Sequence, residues 1–385
     1  MGKSRKEEHK AFFAWLVRII KEEHIDTLLV AGDIFDTGTP PNYALELYYT
    51  LLKELYSIGE LQIIITAGNH DSVSTLKAPK QLLELMNISV VTSGDREENE
   101  LIPIYKNSIL KGVVCAVPFL RDSTVRRSVS GECLDEKESA LNLGIKKHYE
   151  NVYREALKIC GNREVPIIAM GHLTTVGSRT SESERDIYIG GTLDIGGDFL
   201  GDKFDYVALG HLHINQSVKV DHVRYSGSPI PLSFSESKQD KSINIVTFNN
   251  KSIDNRSIEV EERTIPIYRK LLVLKGNMED IKKKLEQIEE KSTWIEIHLD
   301  DKNPMFANTS IREYADILKL TILAIKIDKS KKNLYAKELN VTSLDELTPT
   351  EVFGRQLEID KIEDKAFKKE LMLTFQKVVE TVTTR

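Results

Sequence analysis

Four stretches of the sequence share one design: an apolar run closed by a glycine, followed at once by a residue able to hold a metal ion. Thr27-Leu-Leu-Val-Ala-Gly-Asp33 ends on a carboxylate, Ile63-Ile-Ile-Thr-Ala-Gly-Asn-His70 on an amide and an imidazole, Pro166-Ile-Ile-Ala-Met-Gly-His172 on an imidazole, and Tyr206-Val-Ala-Leu-Gly-His-Leu-His213 on two. Asp33, Asn69, His172, His211 and His213 offer carboxylate, amide oxygen and imidazole without a thiolate. That borderline-to-hard set suits Mn, Fe or Zn at octahedral or near-octahedral sites. A lone carboxylate can bridge two ions, and two ions about 3.5 to 4 Å apart stabilise both the attacking and the leaving oxygen of an in-line displacement at phosphorus. Glycine before each ligand lets the backbone turn sharply beside an ion or a phosphate. His70 then reads as an acid or a phosphate-contacting group, with Asp71 beside it as a supporting partner. One such unit alone is more often a turn, but four are not coincidence. The isolated histidines His9, His24, His148, His222 and His298 are read as ordinary structural residues.

The elements that must position these residues follow from the same runs. An apolar run ending in glycine predicts a buried parallel strand, whose C-terminal end is where open α/β sheets place their chemistry. Glu7 to Glu23 carries Phe12, Phe13, Leu16, Val17, Ile19 and Ile20 on a broad helical stripe. Pro40-Pro41-Asn42 opens a second helix to Ser57. A third helix is predicted near Leu76 to Met86, and a long one from Ala140 to Lys158, so strand and helix alternate as in an α/β layer. Arg121 to Ser139 and Ser178 to Asp186 read as polar surface loops. Short β segments at Gln216 to Val220, Val223 to Ser226, Ser242 to Phe248 and Ser257 to Thr264 predict a second, more antiparallel sheet. From Pro266 a β-α-β-α-β order predicts a small domain of its own. Asp364 to Val382 spaces Phe367, Leu371, Phe375, Val378 and Val382 as an amphipathic helix. The expected division is residues 1–264, 265–335 and 336–385.

At 385 residues the chain is long enough for about two domains and a tail. With 41% hydrophobic and 29% charged residues it has a globular composition, and no apolar run approaches the roughly 20 residues that cross a bilayer. A cytoplasmic protein without membrane attachment is expected, since residues 1 to 10 lack the apolar core of a secretory signal. Cys115, Cys133 and Cys160 lack any Cys-x-x-Cys spacing, which excludes a disulfide framework and a zinc knuckle as readings. The net charge of −6 excludes a chain coated in basic surface, yet a local patch or a metal ion can still meet a phosphate. The Lys329 to Lys332 run reads as a solvated strand exit.

Gly32-Asp-Ile-Phe-Asp36, Gly68-Asn-His-Asp71, Gly171-His172 and Gly210-His-Leu-His213 resemble four successive motifs of the calcineurin-like metallophosphoesterases. Leu28 to Pro40, Val117-Pro-Phe-Leu-Arg121 and Val223 to Phe234 narrow the resemblance to the SbcD family of bacterial exonuclease subunits, over nearly the whole chain. The resemblance implies an α/β double-sheet sandwich flanked by helices, a small α/β capping domain and a C-terminal helical segment that docks the coiled-coil ATPase SbcC. It implies two Mn ions, with Mg, Fe or Zn as alternatives, DNA ends and hairpins as substrate, and a homodimer within a heterotetramer. Carried over, Asp33 bridges, Asn69, His172 and His211 complete one metal, His213 belongs to the other, and His70 is catalytic. The family opens with a strand ending Asp-x-His, whereas Gly2-Lys-Ser-Arg-Lys-Glu-Glu-His resembles the sequence just after it. A late start at an internal Met, one Mn per molecule or fewer, and poor nuclease activity are therefore expected. A phosphatase or nucleotide phosphodiesterase on the same core, and a scaffold that only binds DNA and SbcC, are the alternative readings.

Overall fold

The computed structural model describes residues 3–126, 133–181, 184, 187, 195–250, 256–301, 303–327, 357, 371–372 and 374–375. Helix α1 (Lys6–Glu22) forms where Phe12, Trp15, Leu16, Ile19 and Ile20 recur at helical spacing, and all five are buried. It feeds β1 (Thr27–Ala31), after which Pro41 caps α2 (Asn42–Tyr56). Strand β2 (Gln62–Thr66) is apolar through Ile63, Ile64 and Ile65, each at most 1% exposed, and full burial of such a side chain stabilises by about 1.5–3 kcal/mol. The helix predicted over Leu76 to Met86 is two short ones, α3 (Val73–Lys77) and α4 (Lys80–Leu85), because Pro79 between them has no N–H to continue the ladder. With β3 (Ile88–Val91), β1 and β2 make a three-stranded parallel sheet in the order β1-β2-β3.

The second sheet collects β4 (Leu101–Lys106), β5 (Ile109–Ala116), β6 (Ile167–His172), β7 (Tyr206–Gly210), β8 (Gln216–Val218) and β9 (Val220–Tyr225) in the order β4-β5-β6-β7-β9-β8. Between β5 and β6 come α5 (Asp122–Val125) and α6 (Leu134–Cys160), and α7 (Gly197–Gly201) precedes β7. Two expectations are corrected here. The predicted loop over 121–139 contains α5 and the first turns of α6, which starts at Leu134 because Glu136 accepts the Cys133 N–H in a capping box. The segments at 216–226 do not found a separate antiparallel sheet: β9 runs parallel to β7, and only β8 at the edge is antiparallel. Antiparallel pairing joins β4 to β5 at the other edge of this sheet and forms the separate hairpin of β10 (Ser242–Asn250) with β11 (Arg256–Thr264).

The two sheets stack face to face through Ile64 and Val91 of one and Val114, Ala116, Ile168, Met170 and Tyr206 of the other. The outer face of the three-stranded sheet packs on α1 and α2 through Ile63, Ile65, Phe12, Leu16, Leu52 and Leu55. The outer face of the six-stranded sheet packs on α6 through Val113, Cys115, Ala169, Ile145, Tyr149 and Val152. The result is the double-sheet α/β sandwich expected from sequence. Every residue of β1 is only half-buried, because a cavity of about 930 Å³ lies along it, lined by Leu28 and Leu29, by Ile243 and Ile245 of β10, and by Ile168 and Tyr206. Among the described strands β1 pairs with β2 alone and β10 with β11 alone.

The chain divides into two compact units, Met1–Val273 with Ser292–Trp294, and Leu274–Lys291 with Ile295–Arg385. The later elements are β12 (Leu271–Gly276), α8 (Met278–Glu286), β13 (Trp294–Leu299), α9 (Pro304–Ile317) and β14 (Thr321–Ile327), with sheet order β12-β13-β14. This is the β-α-β-α-β order read from sequence, and Asn277 and Asn303 cap its two helices. The Lys329 to Lys332 run lies outside the described residues, as does the helix expected over Asp364 to Val382 apart from Leu371, Met372, Thr374 and Phe375, which are helical.

Candidate metal centre

The ends of β1, β2, β6 and β7 converge because three glycines leave room. A Cβ on Gly32 would fall on the His172 ring, one on Gly68 on the Asp33 carboxylate, and one on Gly210 on the Ala31 carbonyl. The chain leaves β1 through Gly32 at φ +85° and Asp33 at φ +51°, and leaves β7 through His211 at φ +92°. A non-glycine residue held in the left-handed region costs on the order of 1–3 kcal/mol, and such strain collects at functional sites.

His172 carries the clearest geometry. Its Nδ1 lies 2.9 Å from the Ala31 carbonyl oxygen, which can only accept, so the proton is on Nδ1 and the lone pair on Nε2. That Nε2 is 3.0 Å from Asn69 Oδ1 and 3.2 Å from Asp33 Oδ2. Three acceptors thus face one another, an arrangement that a second proton on the ring, a turned Asn69 amide or a cation among them relieves. His211 closes the group, its ring centroid 5.4 Å from that of His172. Ligand atoms of Asp33, His172 and His211 all lie within 4.8 Å of one another, the group of this kind among the described residues. Burial and the His172 charge push His211 down to about 4, against the pull of Asp33, so its imidazole is neutral at physiological pH. Burial raises the Asp33 carboxyl, but the hydrogen bond and charge of His172, with the backbone N–H and charge of His70, outweigh it and hold the group below its ordinary value. An anionic oxygen, two imidazoles and an amide oxygen are a donor set that fits a hard or borderline divalent ion.

His70 and His213 stand outside that group. The His70 N–H donates to Asp33 Oδ1 at 3.1 Å, and its Nδ1 donates to the Asp36 carbonyl oxygen at 2.7 Å. Asp71 does not support the His70 ring. It accepts the N–H groups of Gly68 at 2.8 Å, Phe35 at 3.0 Å and Ile34 at 3.1 Å, and so clasps the loop after β1 to the loop after β2. Burial raises its carboxyl above the ordinary value although those three donors oppose it. His213 is anchored by its backbone N–H to Glu184 and faces Glu236 through Nδ1 at 3.4 Å. Sequence reasoning missed Ala31, whose contribution is a backbone carbonyl, Glu184, which sits in a stretch read as a polar surface loop, and Glu236 and Lys241, which no motif singled out.

Residues 6–215 match the model of the calcineurin-like phosphoesterases, and the chain belongs to that metallophosphoesterase family. Residues 267–361 match a second model, described as the type 5 capsule protein repressor C-terminal domain. Within the family the chain is 36% identical over 372 residues to the SbcD subunit of the nuclease SbcCD of Escherichia coli strain K12, covering 94% of this chain and 90% of that one. The corresponding subunit from Rhodobacter capsulatus is 36% identical over 254 residues, covering 64% and 62%, and that of Bacillus subtilis 34% identical over 252 residues, covering 64% and 62%. Among the described residues no helix is long and apolar enough to cross a membrane.

Proposed function

We propose that the chain is the phosphodiesterase subunit of an SbcCD-type nuclease, hydrolysing the phosphodiester bonds of DNA ends and hairpins as exonuclease and endonuclease, in DNA double-strand-break repair. The observation that carries this is the convergence of His172 Nε2, Asn69 Oδ1 and Asp33 Oδ2, in which both oxygens lie within 3.2 Å of a ring nitrogen that the Ala31 bond leaves without a proton while the ring is neutral. Asp33, Asn69, His172 and His211 would hold one ion, with Asp33 bridging to a second that His213 helps to bind. Mn is the ion proposed. When bound, such a pair lowers the pKa of water and neutralises charge on the phosphoryl oxygens. The protein's own part is to fix the lone pairs. Ala31 sets the His172 tautomer, Asp71 locks the two loops, and His70, held through its Nδ1–H to the Asp36 carbonyl, presents Nε2, which in the doubly protonated ring would give a proton to the leaving oxygen.

Residues 265–335 are proposed to cap the core residues 1–264, residues 336–385 to dock SbcC, and the assembly to be a cytoplasmic heterotetramer around a homodimer of this chain. The test is turnover of a DNA hairpin, a chromogenic phosphodiester and a phosphomonoester by the chain with SbcC, ATP and Mn. Slow cleavage of hairpin and diester with the monoester spared is expected. Preference for the monoester would make the chain a phosphatase.

A further inference from the structure

His70, His172 and His213 share one device. Each directs Nδ1 at a fixed oxygen: the Asp36 carbonyl, the Ala31 carbonyl and Glu236 Oε1. Only for His213 is that oxygen a side-chain carboxylate. Glu236 is fully buried, and Lys241 is 6% exposed. Their ion pair measures 2.6 Å. Lys241 Nζ spends its other donors on the His213 carbonyl oxygen at 2.8 Å and Ser228 Oγ at 2.9 Å. The Ser228 N–H donates to the same His213 carbonyl at 3.1 Å, and the Leu232 N–H reaches Glu236 Oε2 at 3.2 Å. His213 is thus gripped at its ring by the carboxylate and at its carbonyl by the ammonium of one buried pair, with Glu184 on its N–H.

We propose that Glu236, neutralised and held by Lys241, is the positioning residue of His213: it fixes the tautomer that leaves the Nε2 lone pair of His213 for a metal ion, and ties that nitrogen to the register of the β10–β11 hairpin. At 3.4 Å the contact is at the long end of a hydrogen bond, and it fixes the edge of the ring that faces Glu236. A carboxylate behind a ligating imidazole orients the ring and makes it more basic, and losing such a partner costs about 10–100-fold in metal affinity. Lys241 stands one residue before β10, and its own carbonyl accepts the Ile265 N–H just past β11, so the pair links the loop after β7 to the base of that hairpin. The proposal rests on the reading of His213 as a ligand, and its experiment separates the two.

The full chain is prepared as wild type, Glu236→Gln, the charge-free pair E236Q/K241M, which leaves no buried charge without its partner, and His213→Ala. Ring nitrogen NMR shifts of His213 in metal-free protein report the tautomer, and Mn titration reports binding. In E236Q/K241M, folded by circular dichroism, the His213 shifts are expected to move towards a tautomer mixture while those of His172 stay, and the Mn affinity of the His213-dependent site to fall about 10–100-fold. Adding E236Q/K241M to His213→Ala should cause no further loss. Unmoved His213 shifts in the folded pair variant would overturn the proposal. A moved tautomer with Mn binding indifferent to His213→Ala would sustain the positioning role and overturn His213 as a ligand.

Discussion

His172 and Ala31 are 141 residues apart in sequence and joined by a 2.9 Å hydrogen bond from the imidazole Nδ1 to the carbonyl oxygen. The bond spans the interface between the two sheets, so the stacking of β1 on β6 and the choice of ring tautomer are one event. Gly210 sits against the same carbonyl, where a side chain has no room.

Gly210→Ala is therefore expected to destabilise the fold by about 1–3 kcal/mol or more, since the obstacle is backbone rather than a movable side chain. Gly38→Ala, whose Cβ would meet nothing closer than 3.8 Å, should cost well under about 1 kcal/mol. Urea unfolding of the two variants checks the contrast. Equal midpoints would refute the close approach of β7 to β1.

His70→Ala should leave Mn binding intact and slow diester hydrolysis by about 10²–10⁴-fold, the usual contribution of a positioned proton donor. Titration and rate are measured on the same preparation with SbcC present. A parallel fall in Mn affinity would move His70 into the ligand set.

The metal-free chain should lose stability as pH falls from about 6.5 towards about 4. His211 has its folded value lowered to about 4, so between the two values the unfolded chain binds the proton and the folded chain does not. Above 6.5 the contribution is fully present, and it is lost on descent through the window. Urea midpoints against pH for the wild type and His211→Asn check it. A variant with the same slope as the wild type would remove His211 as the source.

Why some of this was legible in the sequence and some not is a matter of range. Gly-Asp33, Gly-Asn69, Gly-His172 and Gly-His211 announce themselves because strand, glycine and candidate ligand lie within a few residues, whereas the reason for the glycine is local only at Gly32, which takes a positive φ, and is the approach of distant groups at Gly68, Gly171 and Gly210. The break at Pro79 is equally local, yet the apolar spacing across it imitates one helix. The placement of β9 beside β7 is different, since alternation tells that a strand forms and not which edge it joins. Asp71 looked like a neighbour for His70, but its side chain turns back to three N–H groups that the fold alone brings near. Glu236 and Lys241 lie in Ser233-Phe-Ser-Glu-Ser-Lys-Gln-Asp-Lys241, whose composition is that of a surface loop, and only their burial as a pair reveals a role.

Charged substitutions at Phe367, Leu371 and Phe375 should abolish co-purification with SbcC while leaving the melting temperature of the chain unchanged, because their spacing puts them on one helical stripe. Retained co-purification would place the SbcC contact elsewhere.

Asp33, Asn69, His172 and His211 are expected to form a metal centre, and Mn titration of the wild type against His172→Ala, followed by calorimetry and by the Mn electron spin resonance signal, decides whether they do. Saturable Mn binding by the wild type is predicted, with a loss of at least about 100-fold in the folded variant, the upper end of what even an outer-shell partner costs. Equal Mn affinity in a folded His172→Ala chain would contradict it.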